Sequence, residues 1–295
     1  MKTASRLGFL CKRRWLFLLA AAGVLLCVGA YEAYDRGRPA PVPFKQILFD
    51  GTATYYRRVY YTPRMMIAHV VVVDLKAGGV KLLVTPPDHS GGAPLNARTT
   101  SQFLDEFDLQ IAINGDGFYP WWSHGPLDYY PQAGDPVTPN GFAASGGKVY
   151  AGGDEPILYI GRRNTLSFRK PGKIVQAIGG DRYLVLNGKV VAGLDDSVRN
   201  PRTAVGFNKN GRRLILVVVD GRQPFYSEGA TFRELADILL AHGAHFGMSL
   251  DGGGSSTMVI EGEDGQPVIL NSPIDQNTPG RERPVANHLG VYIER

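Results

Sequence analysis

Thiols are nearly missing from this sequence: of 295 residues only Cys11 and Cys27 are cysteine, and both lie near the amino terminus. Everything after Cys27 therefore has no disulfide and no thiolate metal site, and its stability rests on a packed core. Histidine is also scarce, and no H-x-x-x-H or paired-carboxylate spacing argues for zinc. His242 and His245 flank Gly243 at an expected helix end, and His288 is a lesser site candidate. No lysine follows the run Gly252-Gly253-Gly254, which excludes a P-loop. Thr257 stands where a nucleophile elbow needs its final glycine, which disfavours a serine hydrolase. There is no internal repeat, no low-complexity tract and no Ser-rich or charged linker. The net charge of +5 and pI of about 9.1 owe much to an amino-terminal basic cluster, so they do not argue for nucleic acid as a partner.

Long apolar runs are absent except for one, from Trp15 to Ala30, preceded by Lys2, Arg6, Lys12, Arg13 and Arg14. Its 16 residues lie between a signal-peptide core and a full span, which needs about 20. Trp15, Tyr31 and Tyr34 extend it as interfacial anchors, and the basic flank points the amino terminus to the cytoplasm. The expectation is a cytoplasmic basic tail and transmembrane anchor over 1–38. A cleaved signal peptide is the rival, although Val28 fits the minus-three position of an A-x-A site poorly. Pro39, Pro41 and Pro43 make a stiff spacer over 39–46, and one domain is expected over 47–295, on the extracytoplasmic side.

That domain reads mostly as strand. The runs 68–73, 80–84, 174–178, 183–186, 203–207 and 214–219 are rich in β-branched residues and bounded by Gly, Asn or Asp. Asn187-Gly188 and Asn210-Gly211 are hairpin signals, because a type I′ turn needs positive φ at both central positions. Helices are few. Thr231 with Glu234 forms a capping box ahead of an apolar stripe ending near Gly243, and a shorter helix is expected over 100–107. The fold class is α+β, a mixed and mostly antiparallel sheet with few helices, preceded by one transmembrane helix.

One unit localises a site. A strand over 214–219 ends at Asp220-Gly221-Arg222, a helix follows, and a strand over 246–250 ends at Asp251-Gly252-Gly253-Gly254. A crossover helix makes such strands parallel, so Asp220 and Asp251 should emerge at one sheet edge, where ligands bind. Three successive glycines suggest positive φ or a closely approaching ligand, and the N–H groups of Gly252 to Ser256 are candidates for an anion-binding nest, with the hydroxyls of Ser255, Ser256 and Thr257 as further donors. The stretch from Ile113 to Trp122 sets Asn114 and Asp116 beside four aromatic rings, a mixture suited to sugars. Arg202 opens a strand and Arg222 follows Asp220; guanidinium forks grip phosphate in two-pronged fashion.

These stretches, in this order, resemble the phosphodiester glycosidase family. The resemblance is carried by Ala112-Ile113-Asn114-Gly115 through Phe118, Pro139-Asn140-Gly141, Ile178-Gly179-Gly180, Asn200-Pro201-Arg202-Thr203-Ala204-Val205-Gly206, Val219-Asp220-Gly221-Arg222 and the segment Leu250 to Thr257. Asp116 departs from the pattern, since many relatives have a small residue there. The resemblance implies hydrolysis of a sugar 1-phosphodiester on the glycosidic side, with a phosphorylated glycan as substrate and no cofactor. An ordinary glycosidase needs one carboxyl to protonate its leaving group. A phosphomonoester, with a second pKa of about 6, leaves without that help, so arginines and N–H groups suffice to stabilise it. Asp220 or Asp251 then serves the sugar carbon or the water, and spacing leaves open which does which. Two rivals stand beside this: a binding module for anionic envelope glycans, and a phosphoesterase holding a divalent metal between Asp116, Asp220 and Asp251.

Overall fold

A computed structural model describes residues 4–39, 41–88, 92–125, 128–154 and 156–294. The chain divides into two units, Met1–Ala40 and Pro41–Arg295. The first is a helix, Ala4–Gly37, in which Arg14–Tyr34 is 21 residues long with mean hydropathy 2.0, long and apolar enough to cross a membrane. Leader sequences meet the same criterion. In the second unit the first strand, Phe44–Leu48, begins inside the proline-bearing segment.

An eight-stranded sheet forms the backbone of the domain. Its order is Phe44–Leu48, Ala53–Tyr60, Met66–Asp74, Arg213–Val219, Arg202–Phe207, Phe246–Ser249, Arg182–Leu186 and Lys189–Val190. Its inner strands are apolar at nearly every position because both faces are covered. One face of Arg213–Val219 sends Leu214, Leu216 and Val218 against Ile111, Ile113, Met258, Leu289 and Val291. The other face sends Ile215, Val217 and Val219 against Leu235, Ala236 and Leu239 of the helix Phe232–Ala241. A five-stranded sheet, ordered Pro267–Ile269, Met258–Glu261, Ile111–Asn114, His288–Ile293 and Val80–Val84, closes the first core. The helix Thr100–Glu106 backs it through Phe103 and Leu104. A second five-stranded sheet contains Ala143–Ser145, Ile157–Ile160 and Gln176–Gly179.

The architecture is the α+β, largely antiparallel one expected; every strand ladder among the described residues is antiparallel. Arg213–Val219 and Phe246–Ser249 nonetheless run parallel, because Arg202–Phe207 lies between them and opposes both. The ends of those two strands and the start of the third therefore meet at one edge. Thr231 caps its helix as the sequence predicts, with Glu234 returning the bond, and Thr99 with Gln102 does the same for Thr100–Glu106. Asn187 and Gly188 both take positive φ, as their hairpin requires. At the second hairpin only Gly211 does: its N–H donates to Asn208 O at 2.9 Å, so the chain turns through a longer loop than the two-residue one expected from Asn210-Gly211.

Candidate active site

The shared edge is built around the side chain of Asn114, at the end of strand Ile111–Asn114. Its Oδ1 accepts from Thr203 Oγ1 at 2.8 Å and from Thr257 N at 3.1 Å, while Nδ2 donates to Asp251 O at 2.8 Å. Three segments distant in sequence are held by one fully buried amide. A second Nδ2 hydrogen goes to Gly115 O at 3.4 Å, so Asn114 is a clamp behind the site with no group left for substrate.

Above it opens a cleft of about 610 Å³, lined by Asp116, Arg202, Arg222, Asp251, Gly252, Gly253 and Gly254 among the expected residues. Trp121, Asp154, Asp181 and Arg283 complete its functional lining. The Asp251 carboxylate accepts from Gly252 N at 2.9 Å. Desolvation raises its pKa, and the Ser255 hydroxyl and the Arg283 charge oppose that rise. Asp116 is 5% exposed, and burial pushes it up to about 6, against N–H donors from Gly117 at 2.8 Å and Gly141 at 2.6 Å. A Cβ on Gly141 would sit 2.3 Å from Asp116 Oδ2, and one on Gly179 2.8 Å from it. Those two glycine motifs exist here to admit the Asp116 carboxylate.

The glycine run has a similar explanation, different from the nest expected. The N–H groups of Gly253, Ser255 and Ser256 donate to Pro201 O, Gly252 O and Gly253 O, and that of Gly252 to Asp251. Four of the five N–H groups are thus spent inside the protein, and that of Gly254, at the cleft wall, is the one with no acceptor among the described residues. Instead a Cβ on Gly253 would stand 3.0 Å from Arg222 Nη2, and one on Gly254 2.3 Å from Arg283 Nη2. The glycines let two guanidiniums lie directly on the loop. Gly253 also takes a φ of +64. Ser255, Ser256 and Thr257 are buried behind the loop; of their hydroxyls, that of Ser255 takes part, meeting Arg283 Nη1 at 3.3 Å.

Each arginine is aimed by other contacts. Arg202 donates from Nε to Ala230 O at 3.2 Å and from Nη2 to Val198 O at 3.0 Å, and stacks 3.7 Å from the Phe232 ring. Arg222 donates from Nε to Asn200 Oδ1 at 3.2 Å and holds a φ of 57, a strained conformation for a non-glycine residue. Burial depresses the pKa of both, and neighbouring Arg283 adds to that at Arg222. Arg283 is held by buried Asp275 at 2.7 Å. Among the described residues neither Arg202 nor Arg222 has a carboxylate partner within ion-pair distance.

Asp220 requires a correction. It emerges at the expected edge but turns inward, 1% exposed, where Oδ2 meets His69 Nε2 at 3.0 Å and Oδ1 accepts from Ser272 N at 2.7 Å and Asn271 Nδ2 at 3.2 Å. Tyr55 OH closes the chain at 2.8 Å from His69 Nδ1. Asn271 in turn donates to Ser256 O at 3.0 Å, so Asp220 supports the loop from below. The Asp116, Asp220 and Asp251 metal arrangement consequently does not form, and among the described residues no other trio of His, Cys, Asp or Glu gathers. His288 lies outside the cleft as well, stacked 4.7 Å from Phe103, with burial pushing its pKa down to about 3. Arg283, Asp154 and Asp181 were not foreseen. Arg283 sits in Arg281-Glu282-Arg283, which carries no strand or glycine signal.

Comparison with known proteins places the chain in a family. The phosphodiester glycosidase family profile matches residues 107–292. The catalytic domain of zebrafish N-acetylglucosamine-1-phosphodiester alpha-N-acetylglucosaminidase, auto-inhibited by its pro-peptide, superposes with a TM-score of 0.59 at 22% identity, over 88% of this chain and 86% of that one. A hypothetical protein from Synechocystis gives 0.52 at 16% identity, over 87% and 64%. These likenesses show the fold. The uncharacterized protein YomE of the SPbeta prophage in Bacillus subtilis (strain 168) is 38% identical over 97 residues, 33% of this chain and 13% of that protein's length. With more than half its length matched, and the matching motifs built into one cleft, the chain belongs to the phosphodiester glycosidase family.

Proposed function

We propose that this protein hydrolyses a sugar 1-phosphodiester in an envelope glycan or glycoconjugate, cutting between the anomeric carbon and oxygen. The observation that carries the reading is a pair of arginines, Arg202 and Arg222, without carboxylate partners among the described residues, in one cleft with Asp251 and Asp116. Unpaired guanidiniums held at such cost to their own solvation fit a bound phosphate. Water, deprotonated by Asp251, attacks the anomeric carbon; the carbon–oxygen bond breaks and its electron pair leaves with the phosphomonoester. Arg202, Arg222 and Arg283 stabilise that departing charge, so no strong acid is needed. Trp121, 5.2 Å from the Arg283 guanidinium, offers its ring to a sugar face. The chemistry requires no cofactor. The helix Ala4–Gly37 serves as a membrane anchor, with the domain outside.

The test is the full-length protein in detergent, given a sugar 1-phosphodiester in ¹⁸O-water. Label in the released sugar, unchanged by chelator, supports the reading. Label in the phosphate would mean phosphoester cleavage, and tight binding without turnover of several such substrates would mean a binding module. Protease added to intact spheroplasts should digest the domain; protection would overturn the topology.

A further inference from the structure

The central sheet has two ends, and the active-site cleft occupies one. At the other, where Arg202–Phe207 finishes and Phe246–Ser249 begins, lies a second cleft of about 810 Å³. Its floor is aromatic. Phe168 lies 5.1 Å from Tyr183, 5.3 Å from Phe207 and 6.1 Å from Phe246, and of these only Phe207 is fully buried. Its rim carries five exposed cations, Lys76, Arg163, Arg169, Lys209 and Arg212, and no acidic residue lines it. Among the described residues none of the five has a carboxylate within ion-pair distance.

Five like charges around one concavity repel one another, which disfavours the compact state. The turn that displays Arg163 is itself held open. Arg163 and Asn164 take φ values of 59 and 57, which cost about 1 kcal/mol or more for non-glycine residues. Asn164 fixes the turn by donating to Val80 O at 2.8 Å.

We propose that this second cleft binds a phosphodiester-linked glycan, with phosphates on the cationic rim and sugar C–H faces on the rings. Resting on the function proposed above, it would hold another stretch of the polymer cut in the first cleft. The strand joining Arg202 to Phe207 sets the spacing, five rises at about 3.3 Å each, or roughly 17 Å, the reach of a short oligosaccharide. An anionic membrane surface is the less favoured occupant. None of the large exposed apolar side chains lies on this rim, so nothing there would enter an acyl layer.

The test compares the full-length protein with its Arg163→Glu/Arg169→Glu/Lys209→Glu variant in neutral detergent. Equilibrium binding is measured, with Asp251→Asn added to both proteins so that the polymer stays uncut, to a glycosyl-phosphate polymer, to the same glycan without phosphate, and to mixed micelles of the detergent with phosphatidylglycerol. Turnover of a single-bond sugar 1-phosphodiester is measured alongside. The variant should bind the polymer at least about tenfold more weakly, a loss that shrinks with salt, while turning over the short substrate at the wild-type rate. Equal polymer binding by both proteins, or a loss confined to the phosphatidylglycerol micelles, would overturn the proposal. If charge reversal impairs folding, Arg163→Ala/Lys209→Ala gives the same comparison. A protein that cleaves no sugar 1-phosphodiester refutes the reading of the first cleft alone, because polymer binding at the second is measured without turnover.

Discussion

Asp116 gives the cleft a measurable signature in stability. Its carboxyl is raised from the usual 3.8 to about 6, chiefly by burial. Two units at about 1.4 kcal/mol each make roughly 3 kcal/mol, the cost of ionising this group inside the fold rather than in the unfolded chain. Because the folded value is the higher one, the favourable contribution is complete below about pH 3.8 and is lost as pH rises through about 6. Asp116→Asn keeps the shape and removes the charge, but its amide has one acceptor oxygen where Gly117 N and Gly141 N now find two. One donor is left unpaired, at about 1 kcal/mol. The variant should therefore be about 0.5 kcal/mol less stable than wild type at pH 4, where part of the wild-type advantage is already lost, and about 2 kcal/mol more stable at pH 8. In a domain of this size the second figure is a Tm gain of roughly 4–8 °C. Melting followed through the near-ultraviolet signal of Trp121 and Trp122, across that pH range, reads the difference directly. A difference between the two proteins that stays flat with pH would refute the reasoning.

Asp251→Asn should abolish turnover of a sugar 1-phosphodiester while leaving equilibrium binding of the uncleaved substrate intact; turnover at the wild-type rate removes Asp251 from the chemistry. Arg202→Lys keeps the charge but loses the fork fixed on Ala230 and Val198, and should lower kcat/KM roughly ten- to hundredfold, the equivalent of about 1.5–3 kcal/mol. Gly254→Ala drives a methyl against Arg283 and should raise KM roughly tenfold, about 1.4 kcal/mol, with little change in Tm. Asp220→Ala strands His69, Asn271 and the Ser272 N–H in the interior and should cost about 3–5 kcal/mol in denaturant unfolding; an unchanged midpoint would show that the buried network is dispensable.

The sequence was most legible where the physics is local. A capping box needs only Thr231 and Glu234, and Asn187-Gly188 carries its own positive φ, so both were readable within a few positions. The convergence of residues 220 and 251 followed from strand, helix and strand in succession, although sequence could not reveal the opposing strand between them. Side-chain direction was not legible. Asp220 turns inward because His69, Asn271 and Ser272 wait there, all from other strands or loops. The glycine run was read as making room for an anion, when the room is taken by Arg222 and Arg283. Asp116 looked least secure as a departure from pattern, yet its oxygens rest on Gly117 and Gly141, and Gly179 makes way for them.

The Asn114 clamp also sets a schedule. Its partners lie 89, 137 and 143 positions further along the chain, and the Asp116 N–H waits for Asn287, 171 positions away. Contacts so distant in sequence form late, because the chain between them must first be ordered. A chain made from its amino terminus would therefore carry Arg202 and Arg222 for some time before it had a cleft to put them in. The cleft is complete only once the last strand, His288–Ile293, has paired with the strand that ends in Asn114.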